Sequence, residues 1–270
     1  MKLHNQTMIA FSVTRYQKND RTMEKTIDKL STGLAIRRAS DNAAGLAVSE
    51  TIRAQVRGLS QAQRNMQDGL SVLQAANEGL NNVNGLLQRG RELAVMSANE
   101  TMTAEDRKAS QAELDELLKA IDDTAQKLEF NTKKILGENA PLILMVGANP
   151  GQKLTVDLVD TSTSALNLTQ ASVLTSESAE QLIQTLDEAI IKTTGNLTKI
   201  GSYYEAIEHH MANTMVKETN LTSSLSKLVD TDMAKEMMNY ISQDIRQNSD
   251  QLIVSRINQS AGDALKLFNS

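Results

Sequence analysis

The residues that could do chemistry are few and badly spaced for it. Three histidines occur, His4, His209 and His210, and there is no cysteine. A transition-metal site needs ligands that converge, commonly histidines at i and i+4 or histidines joined by thiolates. Adjacent histidines on a helix point in different directions, so His209 and His210 do not form such a pair. The lack of cysteine removes thiolate zinc sites, disulfide frameworks and thiol nucleophiles together. The acid pairs Asp115-Glu116 and Asp122-Asp123 read as solvated helix faces. Asp230-Thr231-Asp232 has the opening spacing of a calcium loop, but the later ligands and the turn glycine are missing. No Gly-x-x-x-x-Gly-Lys-Ser/Thr, Gly-x-Gly-x-x-Gly or Gly-x-Ser-x-Gly motif occurs. The sequence therefore reads as a non-enzyme with no catalytic residue, no metal and no cofactor.

The composition points to helices instead. Aromatic residues make up only 3% of the chain and Trp is absent, so Leu, Ile, Val, Met and Ala must form the interior, which suits thin helix-on-helix seams. The only prolines are Pro141 and Pro150, which leaves 1–140 and 151–270 free for long helices. A net charge of −5 gives no case for nucleic-acid binding. The first forty residues carry eight Lys or Arg against three Asp or Glu, which reads as a solvated arm. No apolar run approaches the roughly 20 residues of a membrane span, and no partner membrane is expected. Lys2 is not followed by an apolar core of signal-peptide length, so export would need another route.

Periodicity places the elements. Residues 5–33 are weakly helical and end at Gly33, and Ser40 or Asp41 is expected to cap the next helix. That helix runs from about 42 to 98, with a stripe of Leu59, Ala62, Met66, Leu70, Leu73, Ala76, Leu80, Val83 and Leu87. Thr103 caps a third helix, buried along Leu114, Leu117, Leu118, Ile121, Ala125 and Leu128 and ending near Phe130-Asn131. A β-hairpin is expected over 142–159, and the Ser/Thr-rich stretch 160–178 is a loop. From about 178 helix is expected with scarcely a stop, along a heptad-like seam from Leu182 through Met215 to Leu228. Met237, Ile241, Ile245, Leu252 and Leu265 continue it weakly. About 90 residues of helix would extend roughly 135 Å, which favours a rod over a compact domain. Both ends are too weakly apolar to be stable helices alone, so they are expected to gain order against other subunits.

Residues 28–136 also carry a resemblance. Asp28-Lys29-Leu30-Ser31-Thr32-Gly33-Leu34 resembles the opening signature of bacterial flagellins, and Ala39-Ser40-Asp41-Asn42-Ala43-Ala44-Gly45-Leu46-Ala47-Val48-Ser49-Glu50 their most specific stretch. Arg64-Asn65-Met66-Gln67-Asp68-Gly69, Leu87-Gln88-Arg89-Gly90-Arg91-Glu92-Leu93 and Glu129-Phe130-Asn131-Thr132 continue it. Val146-Gly147-Ala148-Asn149 is similar to the family's hairpin turn, and Asp230-Thr231-Asp232-Met233-Ala234 to the start of its C-terminal helix. Gly90, the opening Met1–Asn5 and Gly201–Ala206 depart from the pattern.

The resemblance implies a mainly α fold, a long antiparallel helical bundle or coiled-coil rod with one small β-hairpin. Terminal helices 1–36 and 233–270 would form an inner filament core, and 37–232 an outer bundle, with no large variable outer domain. It implies a structural subunit that is secreted and polymerises into the extracellular flagellar filament used for motility. The hook–filament junction protein of the same helical family is the alternative. Leu30, Leu34, Ile241, Ile245, Leu252 and Leu265 are the expected subunit interface. Further partners implied are the flagellar export apparatus and a chaperone, the filament cap and junction proteins, and a host innate flagellin receptor. The receptor epitope carries over to Arg89, Leu93 and Glu113.

Overall fold

A computed structural model describes residues 2–268, with the side chains of Thr7, Ala10 to Ile257 and Gln259. The fold is mainly helical. Five helices follow in order: α1 (Lys2–Thr32), α2 (Ala39–Ala98), α3 (Ala104–Lys127), α4 (Ser176–Val229) and α5 (Met233–Phe268). Between α3 and α4 lie β1 (Glu129–Phe130), β2 (Lys133–Lys134), β3 (Pro141–Met145) and β4 (Lys153–Asp157). The chain divides into two compact units, one of residues 1–53 with 221–270 and one of residues 54–220.

In the second unit α2 buries nearly all of the expected stripe: Leu59, Ala62, Met66, Leu73, Ala76, Leu80, Val83 and Leu87 are buried, and Leu70 is half-buried. One cluster gathers Leu87, Leu93, Leu114, Ile121, Leu182 and Leu186 from α2, α3 and α4. A second gathers Met66, Leu73, Leu80, Leu144, Val156, Ile200 and Ile207, so the hairpin closes it. Each fully buried Leu or Ile contributes about 1.5–3 kcal/mol. The expected seam of α4 holds except at Met215, which is exposed; the buried neighbour there is Thr214.

The hairpin β3–β4 is antiparallel, with Pro141 opposite Asp157 and Met145 opposite Lys153. It seats on α2 where that helix has no side chain. A Cβ on Gly58 would come within 2.7 Å of the Ala148 Cβ, and one on Gly69 would overlap the Leu144 side chain. A further antiparallel pair, β1–β2, turns through Asn131 and Thr132 at φ 48° and 67°. The sequence reading places only a helix end there. The 160–178 stretch is not merely a solvated loop, since Thr161, Thr163, Leu166, Leu168 and Val173 are buried.

The start of α2 differs from expectation. Asp41 does not cap α2 in the usual forward sense, because its Oδ2 accepts from the backward amides of Arg37 and Arg38. Asn42, extended at φ −163° and ψ 100°, takes the role, its Oδ1 accepting from Gly45 N at 2.9 Å. The nearly continuous helix expected from 178 is interrupted at Asp230-Thr231-Asp232, where the resemblance places the start of the C-terminal helix. There Asp232 Oδ1 accepts from the amides of Ala234 and Lys235 and starts α5 afresh. Thr103 caps α3 as expected, in a reciprocal box with Asp106.

Candidate assembly interface

The first unit pairs α1 with α5 in antiparallel fashion. Asn19 Nδ2 donates to Gln243 O at 2.9 Å, Arg15 meets Asp250 at 3.2 Å, and Lys29 meets Glu236 at 3.6 Å. On α1, Ser12, Tyr16, Asn19, Met23, Thr26 and Leu30 turn away from solvent at steps of four and three, with Lys29 half-buried beside Leu30. On α5, Glu236, Tyr240, Gln243, Gln247, Asp250, Val254 and Ile257 do so, also at steps of four and three, with Asp244 half-buried beside Gln243. This is heptad geometry with largely polar occupants. Gln247 Nε2 donates to both Tyr16 Oη and Asp20 Oδ1 at 3.3 Å. Gln243 Oε1 is buried without a hydrogen-bond partner.

Apart from Val254 and Ile257, the aliphatic and methionine side chains described on α5 face the other way. Met233, Met237, Met238, Ile241, Ile245, Leu252 and Ile253 are exposed, Ile245 by 60% and Leu252 by 67%. On α1, Phe11, Val13 and Ile27 are exposed as well. A shallow hollow of about 380 Å³ is lined by Met238, Ile241, Ser242, Ile245 and Arg246. An amphipathic helix in a finished domain turns its apolar stripe inward; here the inward stripe is mixed and rich in polar groups, and most of the apolar side chains of α5 are in water.

A small knot ties the segments that lead into these helices. Leu34 forms an antiparallel bridge with Asp230. Ala35 N donates to Val229 O at 2.6 Å, and Thr231 N donates to Gly33 O at 2.9 Å, with Gly33 at φ 71°. Asp28 pairs with both Arg37 and Arg38. The Asp41 carboxyl is held below the usual carboxylate range by hydrogen bonds from the amides of Arg38 and then Arg37.

The expected interface residues therefore fall into three groups. Ile241, Ile245 and Leu252 are exposed on one helix; Leu30 and Leu34 are half-buried, in the α1–α5 seam and the knot; Leu265 lies outside the residues whose side chains are described. Of the expected epitope, Arg89 and Glu113 are on the surface, joined at 2.8 Å, and Arg89 also meets Glu92 at 2.8 Å. Those bonds, to Glu92 first, raise the Arg89 guanidinium above its ordinary value. Leu93 is 1% exposed and belongs to the first core cluster, so its side chain does not reach the surface.

The remaining chemical candidates have structural neighbours. Asp122 accepts from Thr163 N and Oγ1, both at 2.8 Å, Asp123 pairs with Lys127, and Asp230 accepts from Ser226. His209 and His210 are exposed. Among the described residues no group of three or more His, Asp or Glu is placed to hold a metal, and no helix is long and apolar enough to cross a membrane. The sequence reading missed the polar α1–α5 seam. Its signal was present as the 236, 240, 243, 247, 250 spacing, hidden because the residues there are polar.

Comparison with known proteins agrees with this architecture. Residues 4–140 match the bacterial flagellin N-terminal helical region, and residues 183–268 the bacterial flagellin C-terminal helical region. The flagellin of Halalkalibacterium halodurans is 38% identical over 248 residues, which cover 91% of each chain. The flagellin of Bacillus subtilis is 31% identical over 99% of this chain and 100% of its own. The crystal structure of Bacillus cereus flagellin superposes with a TM-score of 0.53 at 29% identity, covering 60% of this chain and 94% of that one. Matched at both its helical ends and along nearly its whole length, the chain belongs to the bacterial flagellin family.

Proposed function

We propose that this chain is a structural subunit that polymerises with copies of itself into a flagellar filament. The observation that carries the reading is the inverted α1–α5 pair: its polar seam is spent within the subunit, and its apolar stripe is left for neighbours. Contacts that repeat from one copy to the next without closing generate an open helical filament. Several exposed apolar side chains per subunit, each worth about 1.5–3 kcal/mol when buried, supply the driving force. Ile241, Ile245 and Leu252 are the residues proposed to enter that contact, with Leu265 beyond them on the same helix.

The test is Leu252→Asp. The variant should remain soluble, keep its helical signal and fail to elongate from filament seeds. Normal filaments from it would refute the assignment. The unmodified subunit should elongate from seeds to micrometre length, which separates a propagating subunit from a hook–filament junction protein. The chain is a non-enzyme in this reading, exported to the cell exterior by the flagellar apparatus. A chaperone covering α5 before assembly, contacts with cap and junction proteins, and host-receptor recognition at Arg89 and Glu113 follow from family membership alone.

A further inference from the structure

We infer that a hollow between the end of the hairpin and α4 is a binding site for a neutral polyhydroxylated ligand, a single sugar residue. The hollow lies within the second unit and holds about 520 Å³, a size usual for small-molecule sites. One wall is α4, where Lys192, Asn196 and Lys199 follow at steps of four and three and so share a face. The other wall is the end of β4 and the chain after it, with Asp157 and Asp160. Leu158, Val159 and Ala165, all half-buried, also line it. Asn196 is the residue that points to a ligand. It is 6% exposed, and its Nδ2 is buried without a hydrogen-bond partner. It stands in the stripe of α4 that buries Ala189, Ile200 and Ile207, where an aliphatic side chain would leave no polar group unpaired. A buried amide without a partner is costly, and the hollow is the side from which an outside acceptor can reach it.

The other polar groups keep capacity to spare. Lys192 Nζ donates to Ala165 O at 2.7 Å, which positions the ammonium and leaves two of its three N–H groups. Lys199 has no ion-pair partner among the described residues. Asp160 accepts from Ser162 N at 2.8 Å through Oδ1 alone, and Asp157 accepts from Tyr203 Oη at 3.4 Å. The lining also selects the class of ligand. Lys192 and Lys199 are balanced by Asp157 and Asp160, so neither a simple anion nor a simple cation is favoured. Donors stand on the α4 wall and carboxylate acceptors on the other. A hydroxyl both donates and accepts, so a ring of hydroxyls satisfies both walls, while its C–H groups suit Leu158, Val159 and Ala165. The inference needs only the second unit and does not rest on self-assembly.

The Asn196 side-chain amide gives its own NMR signals and so reports occupancy directly. The probes are the methyl glycosides of glucose, galactose, mannose and N-acetylglucosamine, each titrated to tens of millimolar into the full-length soluble subunit. At least one should shift the Asn196 side-chain signals saturably. Asn196→Val should weaken binding of that glycoside about tenfold, read from the backbone amides of residues 157–160. Lys199→Met should weaken it several-fold and leave the helical signal unchanged, because the Lys199 side chain is exposed. Should Asn196→Val fail to fold, Lys199→Met decides alone. The absence of a saturable shift with every glycoside, binding that either folded variant leaves unchanged, or tighter binding of acetate or glycine than of any glycoside would each overturn the proposal.

Discussion

At the scale of single residues, Gly90 stands apart from the glycines that seat the hairpin. A Cβ there would lie 3.6 Å from Leu114 Cδ1 and 3.7 Å from Leu186 Cδ2, which is ordinary contact, inside a helix where glycine is conformationally costly. Gly90→Ala should therefore raise unfolding free energy by about 1 kcal/mol, read from the urea midpoint. Gly69→Ala should do the reverse, because Leu144 already fills the space. Thr103 is a second sensitive residue. Its Oγ1 accepts from Asp106 N at 3.2 Å and donates to Asp106 Oδ2 at 2.7 Å. Thr103→Ala should cost about 1 kcal/mol. The Thr103 side chain holds the Asp106 carboxyl below its usual range, with help from the Thr103 amide. The folded value is thus below the unfolded one of about 3.9. The stabilisation is complete above that pH and is lost as pH falls through the folded value. Titration of the Asp106 carboxyl by NMR should show the depressed midpoint in the parent chain and its return toward the ordinary value in Thr103→Ala.

At the scale of elements, the inverted α1–α5 pair makes a prediction that a normal amphipathic helix would not. Ile241→Lys should leave the unfolding of the free subunit within about 0.5 kcal/mol of the parent, since the side chain already faces water. It should nevertheless abolish seeded elongation. A large loss of monomer stability would place Ile241 in a core instead. What the sequence made legible follows the same line. The α2 stripe from Leu59 to Leu87 and the Thr103 cap were readable because an apolar period and a cap depend on local chemistry. Asn42 was not readable as a cap over Ser40 or Asp41, because what disqualifies Asp41 is its bond to the amides of Arg37 and Arg38. Leu166, Leu168 and Val173 were hidden in a Ser/Thr-rich stretch whose burial depends on α3 and α4 being beside it. Of the residues expected at a subunit contact, Ile241, Ile245 and Leu252 are exposed on α5, whereas the α1–α5 seam residues Asp250 and Gln247 were passed over, since polar residues at heptad steps look like solvent-facing ones until the partner helix is in place.

At the scale of the whole molecule, the two compact units have different interiors. Both apolar clusters belong to residues 54–220, whereas the unit made from the chain ends is held by a polar seam. A fragment of residues 54–220 should therefore unfold cooperatively in urea and remain unable to elongate seeds. A fragment without a cooperative transition would show that the ends contribute to the core. The knot between the two linkers adds a mechanical consequence. Residues 33–36 and 229–231 are laced by Ala35 N to Val229 O and Thr231 N to Gly33 O, and these bonds run across the strands. A displacement of either segment strains these bonds together, so a movement at the base of one terminal helix is passed to the base of the other.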